Sequence, residues 1–105
     1  MIDETLSRLE TKLRDGSRID TEHRDELLSL LRELKAELAA IQKTQSAEAR
    51  QVTGHTERFA KAVTEERDPE LLQRTLQELD SFENSHPQLV HLVNRIATTL
   101  SSLGI

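Results

Sequence analysis

Glu83-Asn84-Ser85-His86 is the stretch of this 105-residue chain with the clearest claim to chemistry. On a helix, a Glu-x-x-His spacing puts a carboxylate and an imidazole on one face, an arrangement that di-metal carboxylate bundles use twice. One reading is therefore a metal-binding helical bundle protein or enzyme using Glu83 and His86. Such a centre also needs a second Glu-x-x-His and two further inward glutamates. The nearest echo, Asp20-Thr21-Glu22-His23, stands at a helix start far along the chain. In the simpler reading His86 opens a helix ahead of Pro87, with its ring beside Phe82. A single short motif does not outweigh that reading, so no metal ligand is assigned.

The remaining candidates are thinner. His55 and Glu48 fall at seam positions in a polar part of the chain, where they could pair as buried acid and base or as a pH-sensitive contact. A solvated seam is the plainer expectation, because acid–base chemistry also needs a pocket. His91 lies off the apolar stripe and is expected at the surface. Thr98, Thr99, Ser101 and Ser102 cluster, but no motif sets a histidine–acid pair beside them, so nucleophilic catalysis is unsupported. The three glycines are isolated, which excludes a glycine-rich phosphate loop. No catalytic residue and no cofactor is read, and the expectation is a non-enzyme.

Composition narrows what could surround such residues. Hydrophobic residues make up 35% of the chain, and Phe59 and Phe82 are its two aromatics, so the core must be aliphatic and narrow. Abundant Glu, Arg, Leu, Ala and Gln, with few Gly and Pro, favours helices throughout. The net charge of −5 is spread along the chain without a basic block. A nucleic-acid surface or an anionic membrane surface needs concentrated positive charge, and neither is expected as a partner. There is no cysteine, hence no disulfide framework and no cysteine zinc site. Met1-Ile2-Asp3-Glu4 lacks the basic start of a signal peptide, and no apolar run reaches the ~18–20 residues of a membrane helix. A soluble, cytoplasmic protein is expected.

The positioning elements follow from apolar spacing. Ile2, Leu6, Leu9 and Leu13 make one stripe on a helix from about 2 to 15, which Gly16 can close. Asp20 or Thr21 caps the next helix. There Leu27, Leu31, Leu34, Leu38 and Ile41 follow a heptad rhythm, widened by Leu28 and Leu30. Continuing that register gives Gln45, Glu48, Val52, His55, Phe59 and Ala62. Breaks could fall at Thr44-Gln45-Ser46 or at Thr53-Gly54. With no proline at either, the spacing favours one continuous or gently kinked helix over 21–66, approaching ~70 Å in length. Asp68-Pro69 starts the next helix, about 69–84, with Leu72, Leu76, Leu79 and Phe82 inward. His86-Pro87 starts the last, about 86–103. The rhythm runs through this second proline, so the last two helices are expected nearly collinear on a shared seam.

The last helix is the most apolar part of the chain: between Asn84 and Ile105 its one Lys, Arg, Asp or Glu is Arg95. Leu89, Val93, Ile96, Leu100 and Leu103 form its seam. Val90, Leu92 and Ala97 form a second apolar side, either core beneath helix 1 or an exposed interaction strip for another chain. Leu103, Gly104 and Ile105 can end it as a Schellman cap.

Folded at Glu66–Asp68, the chain becomes a single all-α domain spanning 1–105. The expected form is an antiparallel long-helix hairpin with a short N-terminal helix, a three-helix bundle at one end and a coiled-coil-like seam. Residue numbers facing each other across the hairpin sum to about 135. Hence Ile41 lies near Val93, Leu34 near Leu100, and Phe59 near Leu76 and Leu79. A thin two-helix arm buries little, so self-association, most simply as a symmetric dimer, is expected to cover it.

Three segments carry a family resemblance: Phe82-Glu83-Asn84-Ser85-His86-Pro87-Gln88-Leu89, Val93-Asn94-Arg95-Ile96-Ala97 and Leu100-Ser101-Ser102-Leu103-Gly104-Ile105. With Asp68-Pro69-Glu70-Leu71-Leu72 and the leucine-rich Leu27 to Ile41, they resemble the bacterial family of the domain of unknown function 4404. The resemblance implies a small helical, cytoplasmic bacterial protein and no particular activity. The expected role is a non-enzymatic protein–protein interaction or self-association module, partnered by a second copy or by another helical protein.

Overall fold

Residues 43–46 decide the shape of this protein. In the structure, a computed structural model that describes residues 2–15, 21–63 and 69–102, the second helix stops there and the chain turns back. The helices are α1 (Ile2–Asp15), α2 (Thr21–Gln42), α3 (Ala47–Lys61), α4 (Pro69–Asp80) and α5 (Pro87–Ser102), with no strand among the described residues. The expected cap and turn positions at Gly16, Asp20, Glu66-Arg67-Asp68 and Leu103-Gly104-Ile105 lie outside the described residues.

The continuous helix over 21–66 is thus corrected to two helices, broken at the first of the two candidate sites. Thr44 N–H and Gln45 N–H bond back three residues, to the carbonyls of Ile41 and Gln42. The Thr44 hydroxyl donates to the Ile41 carbonyl at 2.7 Å. Gln45 then takes a left-handed φ of 52°, an uncommon conformation for a residue with a Cβ, and Ser46 is extended. The Ser46 Oγ accepts the Ala49 N–H at 3.0 Å, satisfying one of the amides left open at a helix start. Packing supplies the reason for the break: beyond Ile41 the old register offers Gln45 and Glu48, which gain nothing by burial. Restarted at Ala47, the chain buries Ala49, Val52, Thr56, Phe59 and Ala60 instead. The Thr56 hydroxyl is accommodated by donating to Val52 O at 2.8 Å. Ser46→Ala is expected to lower stability by about 1 kcal/mol, read from the urea midpoint at unchanged slope.

Gly54, the other candidate break, lies inside α3. Its helical cost of about 1 kcal/mol relative to alanine is small beside the burial of Val52, Thr56 and Phe59 around it.

Because α3 folds back, no thin arm forms. The molecule measures 40 × 25 × 21 Å with a radius of gyration of 13.0 Å, close to the ~13 Å of a compact chain of this length. α2 is the central element, packed chiefly against α5 and also against α1 and α3, while α3 packs against α1 and α4. Leu27, Leu31, Leu34, Leu38 and Ile41 are buried with Leu6, Leu9 and Leu13 of α1 and Leu89, Val93, Ile96 and Leu100 of α5. The expected seam is therefore the core, Leu103 excepted as undescribed. Lys35 Nζ meets Glu10 Oε1 at 2.9 Å, tying α1 to α2.

The hairpin register is corrected too. A sum of 135 would set Arg95 opposite Ala40, whereas Arg95 meets Glu26 at 3.4 Å, a shift along α2 of roughly 20 Å. Nor are the last two helices collinear. Asn94 Nδ2 donates to Asp80 Oδ1 at 3.2 Å, which requires α5 to turn back past the end of α4. The turn is made by residues 81–85, where Ser81, Phe82 and Glu83 N–H each bond three residues back.

On α5, the buried residues Leu89, Val90, Leu92, Val93, Ile96, Ala97, Thr99 and Leu100 cover about half the circumference at 100° per residue. Of the two readings of Val90, Leu92 and Ala97, core or exposed strip, the structure has the buried one: they are 3%, 2% and 7% exposed, closed by the protein's own helices.

Candidate functional site

The polar residues singled out in the sequence meet where the flank of α3 faces α4 and the α4–α5 turn. The shift of the buried stripe on α3 to Ala49, Thr56 and Ala60 leaves Glu48 and His55 at its edge, half-buried. They do not pair with each other. His55 Nδ1 faces Glu78 Oε2 of α4 at 2.8 Å, an ion pair when the imidazole is protonated, although the two atoms are not aligned as a hydrogen bond. Arg58 Nη1 lies 3.6 Å from the same oxygen. Glu48 Oε1 meets His86 Nε2 at 3.1 Å. Phe82 sits against His55, ring centroids 5.7 Å apart and planes at 42°, whereas the expected ring beside Phe82 was that of His86.

His86 does open α5. Its carbonyl accepts the Val90 N–H at 3.2 Å, and its own N–H donates to Phe82 O at 2.7 Å, with Pro87 at the first helical position, where no N–H is needed. The Glu83–His86 face that a metal centre would use is not built. Residues 81–85 turn rather than continue α4, Glu83 is exposed, and the His86 imidazole is directed to Glu48. Among the described residues no three His, Asp or Glu converge as metal ligands.

The structure brings together two histidine–carboxylate pairs, His55 with Glu78 and Glu48 with His86. The hydroxyls of Thr98, Thr99 and Ser102 donate to carbonyls four residues back at 2.9, 2.9 and 3.1 Å, so they are engaged within their own helix. His91 is at the surface. The paired side chains tie α3 to α4 through His55 and Glu78 and to the start of α5 through Glu48 and His86, and at this exposure each is worth at most about 1 kcal/mol.

A different surface feature was not foreseen. Where α3 folds back beside the end of α2, a groove opens, lined by Gln42 at the end of α2, Gln45 of the turn, and Ala49, Arg50, Thr53, Gly54 and Glu57 of α3. On a helix, residues 50, 53, 54 and 57 share one stripe. A methyl placed on Gly54 would meet no atom within 4 Å. The fold therefore does not need glycine at this position. The groove exists only because of the turn at 43–46, so a chain read as one long helix does not contain it.

Comparison of the sequence with family models matches the domain of unknown function 4404 over residues 31–105. That span runs from the middle of α2 through α5 and includes the whole groove. No curated protein and no solved structure matches the chain.

Proposed function

We propose that this chain, which belongs to the domain of unknown function 4404 family, works as a non-enzymatic protein–protein interaction module that docks its partner through the groove beside α3. The observation that carries the reading is Gly54: a half-buried glycine inside α3, unfavourable for the helix by about 1 kcal/mol, where an added Cβ would meet no atom within 4 Å. Glycine in such a place lets another backbone approach closely. The absence of an alternative apolar surface on α5, now buried, supports the same choice. A cytoplasmic setting belongs to this proposal and is supported by the cysteine-free composition. Among the described residues no helix is long and apolar enough to cross a membrane.

The test compares the wild-type protein with Gly54→Gln, which fills the groove with a side chain that favours helix. Affinity purification from the native cell, followed by mass determination, is expected to yield a complex heavier than the 12.0 kDa chain for the wild type. The variant should be recovered alone. Recovery of the same species with both proteins, or of the wild type alone, overturns the reading.

A further inference from the structure

We infer that two copies of this chain exchange halves, α1 and α2 of one packing on α3, α4 and α5 of the other, by straightening the turn at 43–46 into helix. The inference stands apart from the docking reading above, because it uses the hinge and the core rather than the groove. A short turn under strain invites such exchange. This one is strained at Gln45, whose φ is 52° and whose Cβ therefore crowds the following carbonyl. Residues 43–46 are all exposed, so straightening them uncovers no buried side chain at the hinge itself. They include neither glycine nor proline, and lysine and glutamine favour helix. The bonds given up are few: Thr44 and Gln45 N–H to carbonyls three residues back, the Thr44 hydroxyl to Ile41 O, and the Ala49 N–H to Ser46 Oγ. A straight helix replaces them with bonds from each N–H to the carbonyl four residues back.

The buried faces of α2 and α3 fit the straightened form. Leu31 and Ala49, Leu34 and Val52, Leu38 and Thr56, and Ile41 and Phe59 are each eighteen residues apart, about five helical turns. On one straight helix the two buried stripes therefore fall on the same side, with the exposed Gln45 between them. Opening the turn parts α1 and α2 from the rest and bares the surfaces where α2 meets α5 and where α3 meets α1 and α2. The matching half of a second copy covers them, since each half is already shaped to the other. Packing of α1 on α2, of α3 on α4 and of α4 on α5 stays within one chain, as does the Lys35–Glu10 pair. The Arg95–Glu26 pair and the Thr5–Glu57 bond pass between chains. Reciprocal exchange between two copies closes on itself and leaves neither half uncovered.

Refolding the full chain from urea at millimolar concentration, followed by sedimentation velocity, tests this. Wild-type protein is expected to yield a species of twice the 12.0 kDa mass beside the monomer. When equal parts of differently isotope-labelled chains are refolded together, filtered nuclear Overhauser spectra of the dimer should place α2 of one chain against α5 of the other. Gln45→Gly relieves the strained turn and disfavours helix, and two hinges straighten per dimer, so the dimer should weaken by about a hundredfold. Ser46→Ala removes the cap of α3 and favours helix, so it should strengthen the dimer by a similar factor. A wild type that stays monomeric after refolding overturns the inference. So does a dimer whose α2–α5 contacts lie within each chain, or one that Gln45→Gly and Ser46→Ala do not move in opposite directions.

Discussion

Ile96→Asp is expected to abolish the folded state. Ile96 is 0% exposed and sits in the buried half of α5 that packs on α2. No basic side chain of α2 belongs to that core cluster, which is made of leucines, isoleucines, valines, alanines and Phe59. Burying a carboxylate there without a partner costs several kcal/mol even after relaxation, in addition to the lost isoleucine contacts. Domains of this size are stable by ~5–15 kcal/mol in all, so the substitution alone exceeds or nearly exhausts what holds the protein together. Far-UV circular dichroism should show loss of the cooperative thermal transition. Thr98→Asp, on the exposed side of the same helix, is the control and should shift the midpoint little. A cooperative transition in Ile96→Asp at the wild-type midpoint would mean that α5 does not pack as described.

How far the sequence reveals this fold depends on the kind of signal. The seam from Leu27 to Ile41 and the breadth of apolar α5 could be read because they are local: spacing along one helix reports which side is buried. The break at 43–46 was visible as a candidate yet lost to the continuous helix, because its punctuation is weak. It has no proline or glycine, and the left-handed residue is Gln45, a type that gives no warning. Thr53-Gly54 was the other candidate, but tertiary packing of Val52, Thr56 and Phe59 overrides a propensity difference of about 1 kcal/mol. Once the break was missed, errors followed in order. The α2–α5 register slipped, an arm appeared where none exists, and the choice between core and interface for the second side of α5 stayed open.

The candidate site suffered most, since its pairs are made by elements distant in sequence. His55 with Glu78 and Glu48 with His86 are separated by 23 and 38 residues. No spacing rule connects them; they meet only when α3 lies beside α4 and the α4–α5 turn. Both histidines were singled out, and neither was assigned the carboxylate it meets. The groove at Gly54 was hidden for the same reason: its two walls come from α3 and from a turn that the continuous helix does not possess.

Phe59→Ala separates the compact fold from the hairpin most sharply. Phe59 is 0% exposed and belongs to the same core cluster as Leu34 and Ile96. Removing a fully buried phenylalanine side chain costs ~3–5 kcal/mol, through lost transfer energy and the cavity left behind. In a long hairpin this residue would lie far out on a two-helix arm. Its loss would then fray the arm and leave the bundle of helix 1, residues 27–41 and the last helix folded, as a separate transition. In the observed fold α3 packs on α1, α2 and α4, so the cost falls on the whole domain. A single urea transition is expected, with the wild-type slope and a midpoint lowered by the full amount. Amide-exchange protection should fall together in α2, α3 and α5, because all three open in one unfolding event. Phe82→Ala, at a half-buried ring tilted against His55, should cost distinctly less. Loss of protection confined to α3 after Phe59→Ala would show that α3 folds apart from the α2–α5 core, and the groove beside it could not then be a rigid docking site.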